Sequence, residues 1–548
     1  MLKNSLFFFV SLLLVAFGQQ TWVWQFGLLA ALGGFALFWM ITVNQTSGKA
    51  RFWTATLWFT LIQIIQLSWT LSHLYFYMLA VYLIVCLLYG LQFGLLSYFI
   101  ESKRIKSIIN LFGFSGLWVF LEWTRLFFLP KLSWNPAGIA LATTTAGAQL
   151  ATVGGVFLLS FVVILMNLFL LRYLVERKRV NYLAYTAVCL FPFVFGWMQI
   201  HRHSQEIQYS ATIPVLLVQT GTDVVEKVRF NSLEAYRRFA MEEWKKIILL
   251  IKAANHPLEL VVLPENALPF SAYQAAYPFE EVTAFFIQHF NSSDLSKLPS
   301  LYPHLGVVVE GKTYVNNAYF AQAAANIFNA NLIVGMEDRD NVGQEVKHYS
   351  AALLFQPVNS PFQRYSKRIL VPMGEYIPFD WCQELCKQYG IYGSFTPGDQ
   401  SNLLYTRNHA IGVSICYEET FGNLMRQSRQ NGAQLHANLT NDGWYPHSHL
   451  PELHLEHGRL RAIEQGIPMV RACNTGVTCA VDSLGRTIDE LKQADGSIEE
   501  EVGALQVSVP MYRYDTPYTE HGDALVLALS GFSILGCLIP HFLRASRE

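Results

Sequence analysis

The sequence predicts a two-part molecule, a multi-pass α-helical membrane domain plus an α/β domain, and three observations carry that prediction. Of 548 residues, 52% are hydrophobic and only 14% are charged, with a mean hydropathy of +0.27; a soluble globular chain carries about a quarter charged residues. The acids are unevenly placed: Glu101, Glu122 and Glu176 are the only ones in the first 200 residues, so 37 of the 40 lie beyond. From Ile213 onward, long apolar runs give way to β-branched runs alternating with amphipathic stretches. A net charge of −1 lacks the basic surplus that a phosphate-backbone binder needs, so no nucleic-acid partner is expected.

Apolar runs of the ~20 residues that a bilayer core requires recur at 22–43, 52–71, 74–100, 107–129, 150–175, 182–200 and 524–543. The leading run, 5–18, is shorter. It reads either as a signal peptide, since Lys3 precedes it and Ala16-Phe17-Gly18 has small-x-small character, or as a retained helix joined to the next span through Gln19-Gln20-Thr21. The retained helix is the expectation adopted here, which gives eight crossings.

Orientation follows from the basic residues in short loops and at span ends. With the N-terminus inside, one side collects Lys3, Lys49, Arg51, Lys103, Arg104, Lys106, Arg172, Arg177, Lys178, Arg179, Arg544 and Arg547; the other collects Arg125, Lys131 and Arg202. The segment from His201 to about Gly522 is therefore expected outside, and cleavage after Gly18 leaves that unchanged. The expected domains are 1–200 (spans one to seven), 201–521 (a soluble domain on the outer side) and 522–548 (span eight and a short cytoplasmic tail). Within the fifth span, Glu122 and Arg125 lie three apart on one helical face, where a lone charge is costly, and are expected to pair.

In the soluble part, strands are expected at 215–219, 258–264, 332–335, 351–355, 410–415, 435–440, 477–481 and 505–509, with helices at 232–253 and 421–432. This is an α/β class with helices on the outer faces of sheets. The stretch 273–320 keeps neither period and reads as an insertion without a role. Residues 379–395, with Trp381, Tyr389, Tyr392 and Phe395 punctuated by Gly390 and Gly393, read either as a lid beside the site or as a packed surface helix and loop.

Eight cysteines are too few and too scattered for a disulfide scaffold. Cys86, Cys189 and Cys537 sit in apolar runs as small hydrophobes, and Cys382 and Cys386 are helix neighbours or a disulfide. Clustered His447, His449, His454 and His457, with Glu452 and Glu456, invite a zinc reading, but their spacing matches no familiar motif and no metal is expected.

Three places put a reactive side chain at or just past an apolar run, where sheet proteins build their sites. They are Val261-Val-Leu-Pro-Glu265-Asn266, the segment Tyr365-Ser-Lys367-Arg368 leading to Glu375-Tyr376, and Ile411-Gly-Val-Ser-Ile-Cys416-Tyr417-Glu418-Glu419. A cysteine between a strand and a helix can act as a thiolate near a cation. A carboxylate can take its proton, and a lysine can stabilise an oxyanion. Taken singly, each also fits a structural role: a buried cysteine, a solvated basic loop.

Taken in order, the three segments resemble the Glu, Lys, Cys triad of the nitrilase (carbon-nitrogen hydrolase) superfamily. Further segments narrow the resemblance to its apolipoprotein N-acyltransferase family: Trp134-Asn-Pro-Ala-Gly138, Leu439-Thr-Asn-Asp-Gly-Trp444, Arg461-Ala-Ile-Glu-Gln-Gly466 and Arg471-Ala-Cys-Asn-Thr-Gly476. The resemblance runs over nearly the whole chain. It departs from the family pattern at Gln219-Thr-Gly-Thr with Glu226-Lys227-Val228, and at His348-Tyr349-Ser350.

The resemblance implies a nitrilase-like αββα sandwich on eight transmembrane helices, in the inner membrane of a Gram-negative cell with the catalytic domain periplasmic. It implies that Cys416 takes an acyl chain from a phospholipid as a thioester, and that the α-amine of a diacylglyceryl-cysteine at an apolipoprotein N-terminus accepts it. Glu265 matches the general base and Lys367 the oxyanion-stabilising lysine. Glu375 matches the accessory glutamate, and Tyr417 and Glu418 the residues after the nucleophile. No cofactor is implied. Two other readings use the same residues differently: a membrane-tethered amidase that passes the acyl group to water, and a non-enzymatic transporter or binding module, which loss of Glu265, Lys367 or Cys416 would have favoured.

Overall fold

The computed structural model describes residues 2–18, 23–127, 131–222, 230–301, 303–342, 345–358, 362–372, 374–377, 384, 387, 395–492 and 502–545. Two compact units divide the chain: Met1–Glu206 with Tyr445–Gly466 and Tyr514–Glu548, and Ile207–Trp444 with Ile467–Arg513.

The first unit is helical. Its long helices are Leu2–Gly18, the continuous run 24–42, Gly48–Gln66, Met78–Phe99, Ile108–Thr124, Ala151–Glu176, Arg179–Tyr209 and Ala524–Ala545, one at each apolar run of the sequence. Four described stretches are long and apolar enough to cross a membrane by length and composition: Gln25–Thr42, Met78–Phe99, Ala151–Glu176 and Arg179–Tyr209. Lys3–Gly18, Ile108–Thr124 and Ala524–Ile539 are shorter apolar helices.

Backbone polar groups in hydrocarbon need internal partners, and one span shows how a side chain supplies them. The run 24–42 contains a π turn at Ala30–Gly34, which disturbs the regular hydrogen-bond ladder. Asn167 of Ala151–Glu176 answers it: its Oδ1 accepts from Ala36 N–H at 2.9 Å, and its Nδ2 donates to Ala31 O at 2.8 Å. Around this contact the helices pack through aromatic rings, with Phe38 stacked on Trp58 at 4.2 Å and Phe59 on Phe93 at 4.7 Å.

The expected Glu122–Arg125 pair does not form. Glu122 Oε1 accepts from Trp118 Nε1 and from Ala137 N–H, both at 2.7 Å. Arg125 Nε donates to Gln92 Oε1 at 2.7 Å, and its guanidinium lies 3.9 Å from the Tyr89 ring centre. Both residues are buried. Groups arriving from a neighbouring helix and the following loop take up Glu122 Oε1 and Arg125 Nε, so the two side chains turn to different partners rather than to each other.

Among the described residues, the second unit is built on fifteen strands. They are β1 Thr212–Gln219, β2 Leu260–Val262, β3 Tyr277–Pro278, β4 Gly306–Val309, β5 Lys312–Val315, β6 Asn331–Val342, β7 Glu345–Phe355, β8 Gln363–Ser366, β9 Leu404–Tyr405, β10 Ala410–Ile415, β11 Leu435–Thr440, β12 Met469–Cys473, β13 Cys479–Val481, β14 Thr487–Glu490 and β15 Gly503–Pro510. One six-stranded sheet runs β15-β1-β2-β6-β7-β8, the other β14-β13-β12-β11-β10-β9, and β3, β5 and β4 form a small third sheet. The central strands β1, β2 and β6, like β10, β11 and β12, pair in parallel.

Strand alternation assigns the layers. Val215 and Leu217 of β1 face a core shared with Ile411, Val413, Ile415, Leu435 and Leu439 of the other sheet, so the two sheets pack face to face. Leu216 and Val218 face the opposite way, into a core with Trp244, Ile248, Phe286 and Phe320 from the covering helices. Helix Leu233–Ala253 is started by Ser232, whose side chain accepts from Ala235 N–H at 3.1 Å, and buries Ala240, Trp244, Ile247, Ile248 and Ile251 along one stripe. Helix Gly422–Gln430 packs beside β10 in the second sheet. The layer order is helix, sheet, sheet, helix, the expected αββα sandwich.

The stretch 273–320 is part of this core rather than an appendage. It supplies β3 to β5, helix Phe279–His289 and the start of helix Asn317–Phe328, and Tyr277, Phe285, Phe286 and Phe320 are buried in the outer layer. Its elements are short and separated by turns, which hides their periods in the sequence. The segment 379–395 lies outside the described residues except for Glu384, Lys387 and Phe395, as do Cys382, Cys386 and 223–229. Cys86, Cys189, Cys416, Cys473, Cys479 and Cys537 are free thiols. Among the described residues no group of three or more His, Cys, Asp or Glu side chains is arranged to hold a metal ion; the rings of His454 and His457 instead approach Trp134 edge-on, at 5.6 and 5.3 Å.

Candidate active site

Three strand ends bring Glu265, Lys367 and Cys416 together. Glu265 follows β2 on a tight turn whose next residue, Asn266, has φ 44°. The turn lies against β6 so closely that a Cβ on Gly335 would meet Pro264 O at 2.3 Å and Glu265 Cα at 2.7 Å. Glycine is required there by space.

Lys367 leaves the end of β8, where its N–H donates to Ser350 O of β7 at 2.8 Å. Its ammonium is 1% exposed and donates to Glu265 Oε1 at 2.8 Å and to Glu375 Oε1 at 2.7 Å. Glu375 is itself fixed, because its Oε2 accepts from Val371 N–H at 2.7 Å. Cys416 follows β10 at φ 51°, at the head of the 3₁₀ turn Cys416–Thr420. Its thiol lies within electrostatic reach of the Glu265 carboxylate, the Lys367 ammonium and the Asn441 N–H.

The electrostatics follow from burial and pairing. Burial pushes the Glu265 carboxyl up, against the pull of Lys367, so it can hold a proton. Burial opposes the charge on Lys367, but the two carboxylates more than offset it and hold the ammonium well above its ordinary range. Burial also pushes the Cys416 thiol up, and Glu265 adds to this while Lys367 opposes it. The resting arrangement is a thiol facing a carboxylate that a lysine already neutralises.

Tyr417 and Glu418 support the turn. Tyr417 is buried and packs edge-on to Phe421 at 5.0 Å. Glu418 is fully buried; its Oε1 accepts from Arg368 N–H at 2.6 Å and Ile369 N–H at 3.0 Å, and its Oε2 from Ile415 N–H and the Tyr365 hydroxyl, both at 2.9 Å. It thus ties the turn bearing Cys416 to the segment bearing Lys367. Asn438 and Asn474 were given no role in the sequence reading. Asn438 Nδ2 donates to Ser414 Oγ at 3.1 Å and Cys416 O at 3.3 Å, and Asn474 joins Thr220 and Thr222 after β1 to Asn441 after β11. Asn438 adjoins the segment 439–444 and Asn474 lies in 471–476, two segments that carry the family resemblance, and their partners are too distant in sequence for spacing to reveal them.

At the departing His348, the ring Nδ1 pairs with Glu337 Oε1 at 2.8 Å.

The doubled sheet with this strand-end site defines a carbon-nitrogen hydrolase type of protein, and the carbon-nitrogen hydrolase family model matches residues 236–503. The model of the apolipoprotein N-acyltransferase N-terminal domain matches residues 11–169. Similar proteins include the apolipoprotein N-acyltransferase of Chlamydia caviae, 31% identical with 99% of this chain and 98% of that relative covered. That of Chlamydia trachomatis serovar D is 30% identical, covering 100% and 99%, and that of Geobacter metallireducens 26%, covering 93% and 85%. Among solved structures, a carbon-nitrogen hydrolase from Helicobacter pylori G27 is 17% identical, with a TM-score of 0.35, over 59% of this chain and 94% of that one. The chain belongs to the apolipoprotein N-acyltransferase family and is an N-acyltransferase.

Proposed function

We propose that this chain moves an acyl chain from a membrane phospholipid to the α-amine of a diacylglyceryl-cysteine at an apolipoprotein N-terminus, through a thioester on Cys416. The observation that carries the reading is the Glu265–Lys367–Glu375 cluster, with Cys416 at the end of β10 electrostatically coupled to both Glu265 and Lys367. A chain that also carries apolar helices of spanning length meets phospholipid esters as its nearest acyl source.

Glu265 takes the thiol proton as Sγ attacks the ester carbonyl, and Lys367 offers positive charge where the oxyanion forms. The tetrahedral intermediate collapses, the leaving alkoxide takes the proton back from Glu265, and a lysophospholipid departs. The neutral amine then attacks the thioester. Its surplus proton passes to Glu265 and on to the departing sulfur, leaving an amide and the original thiol. A thioester acylates an amine without a further energy source, so no co-reactant enters.

Phospholipid alone should label Cys416 and release lysophospholipid before any lipoprotein is added. Mass spectrometry of a lipoprotein N-terminus with and without this chain checks the second half; an unmodified amine in the presence of active chain would overturn it.

The basic-residue asymmetry further supports an inner-membrane location with the sandwich on the periplasmic side. Exposed Ser293 offers a reporter position on the second unit. Ser293→Cys should react with a membrane-impermeant maleimide from the outer side; reaction only after permeabilising the inner membrane would reverse the assignment.

A further inference from the structure

The turn Cys416–Thr420 carries two adjacent glutamates, both 0% exposed. Glu418 reaches the Lys367 segment, and Glu419 reaches elsewhere. Arg471 of β12 grips it: Nη2 donates to Oε1 at 2.6 Å, and Nε lies 3.1 and 3.2 Å from the two oxygens. The remaining arm, Nη1, donates to Val477 O at 2.8 Å. Arg471 and Glu419 touch neither Lys367 nor Glu265 through any of these bonds.

A buried ion pair is a poor device for stability alone, because well-packed apolar side chains of similar volume serve as well or better. The geometry gives it another use. Cys416 holds φ 51°, a left-handed backbone that a residue with a Cβ keeps only where its surroundings over-determine it. The register places Ser414, Asn438 and Arg471 opposite one another on β10, β11 and β12. Asn438 on that rung holds Ser414 Oγ and the Cys416 carbonyl, and Arg471 on the same rung holds the turn three residues further on.

We propose that the Glu419–Arg471 pair is a positioning device that keeps the Cys416 turn left-handed and its thiol aimed at Glu265 and Lys367. This rests on the acyl-transfer reading above. Neither residue is catalytic; both act through Cys416.

The test uses the full chain in detergent micelles containing phospholipid. Glu419→Ile with Arg471→Met replaces the pair by apolar side chains, avoiding a lone buried charge. Acyl-Cys416 formation should slow about ten-fold or more with the phospholipid KM little changed, since a small misplacement of a reacting atom costs rate rather than binding. The pH profile of Cys416 alkylation by iodoacetamide should move to higher pH, as the thiol loses its register with Lys367, while the melting temperature holds. A folded double variant with unchanged acylation rate and alkylation profile overturns the proposal. If the double variant does not fold, Arg471→Lys decides: it keeps a charge but cannot span both carboxylate oxygens and Val477 O, so an unchanged rate there also overturns it. Failure of the wild-type chain to form any acyl-Cys416 instead sinks the acyl-transfer reading, and the alkylation profile still reports on positioning.

Discussion

Lys367 Nζ lies 2.7 Å from Glu375 Oε1, closer than its 2.8 Å contact with Glu265. The ammonium therefore serves two carboxylates, and the second raises the proton affinity of the first. Glu375→Gln removes that repulsion while keeping the side-chain shape. Glu265 should then ionise more readily, so the acid limb of the acylation rate profile should move to lower pH. The rate should fall by about ten-fold, because the lysine loses part of the frame that orients it. A limb that stays in place would detach Glu375 from the site.

Cysteine substitutions should separate one thiol from the rest. Cys416→Ala should abolish both acyl labelling and lysophospholipid release. Cys473, which is buried and donates its thiol to Val477 O at 3.2 Å, and buried Cys479 serve packing. Cys473→Ala and Cys479→Ala should leave labelling intact and cost about 1 kcal/mol of stability. Labelling on another residue, or label that resists hydroxylamine, would contradict a Cys416 thioester.

What was legible in the sequence follows from the range of each interaction. Glu265 and Cys416 each end an apolar run and Lys367 stands just before one, a local pattern, and the fold gathers them because β2, β8 and β10 each deliver their C-terminal end to the site. Arg471 grips Glu419 from 52 residues away, and no local period announces such a pair. Spacing alone paired Glu122 with Arg125, but Gln92 and Ala137 N–H, brought by packing, took those groups instead. Phe285, Phe286 and Phe320 were missed as core because their helices are short and set between turns.

Asn167 gives a test of the helical unit. Replacing it by Leu, nearly the same volume, leaves the Ala36 N–H and Ala31 O without their side-chain partner at the π turn. Side-chain hydrogen bonds between membrane helices contribute about 0.6 to 2 kcal/mol, so Asn167→Leu should lower the unfolding temperature in detergent. Acylation by the surviving folded fraction should be unaffected. Equal melting temperatures would mean that the π turn needs no such partner.

Glu464 should make stability fall with rising pH. Helix Ala151–Glu176 departs from helical geometry at Gly154 and Gly155, and the Val156 N–H beyond that break donates to Glu464 Oε1 at 3.1 Å. Arg461 Nη2 donates to the same oxygen at 2.9 Å. Burial nonetheless dominates, with Asp523 adding to it, and the carboxyl is pushed up to about 7. Its proton is held more tightly in the folded state than in the unfolded chain, where a glutamate titrates near 4.3. The resulting stabilisation is complete below about pH 4 and is lost as pH rises through about 7, a swing on the order of 3 kcal/mol. Glu464→Gln keeps the acceptor for Val156 and cannot ionise, so its melting temperature should vary less between pH 5 and 8 than that of the parent chain. Parallel pH profiles for the two would show that Glu464 does not titrate in that range.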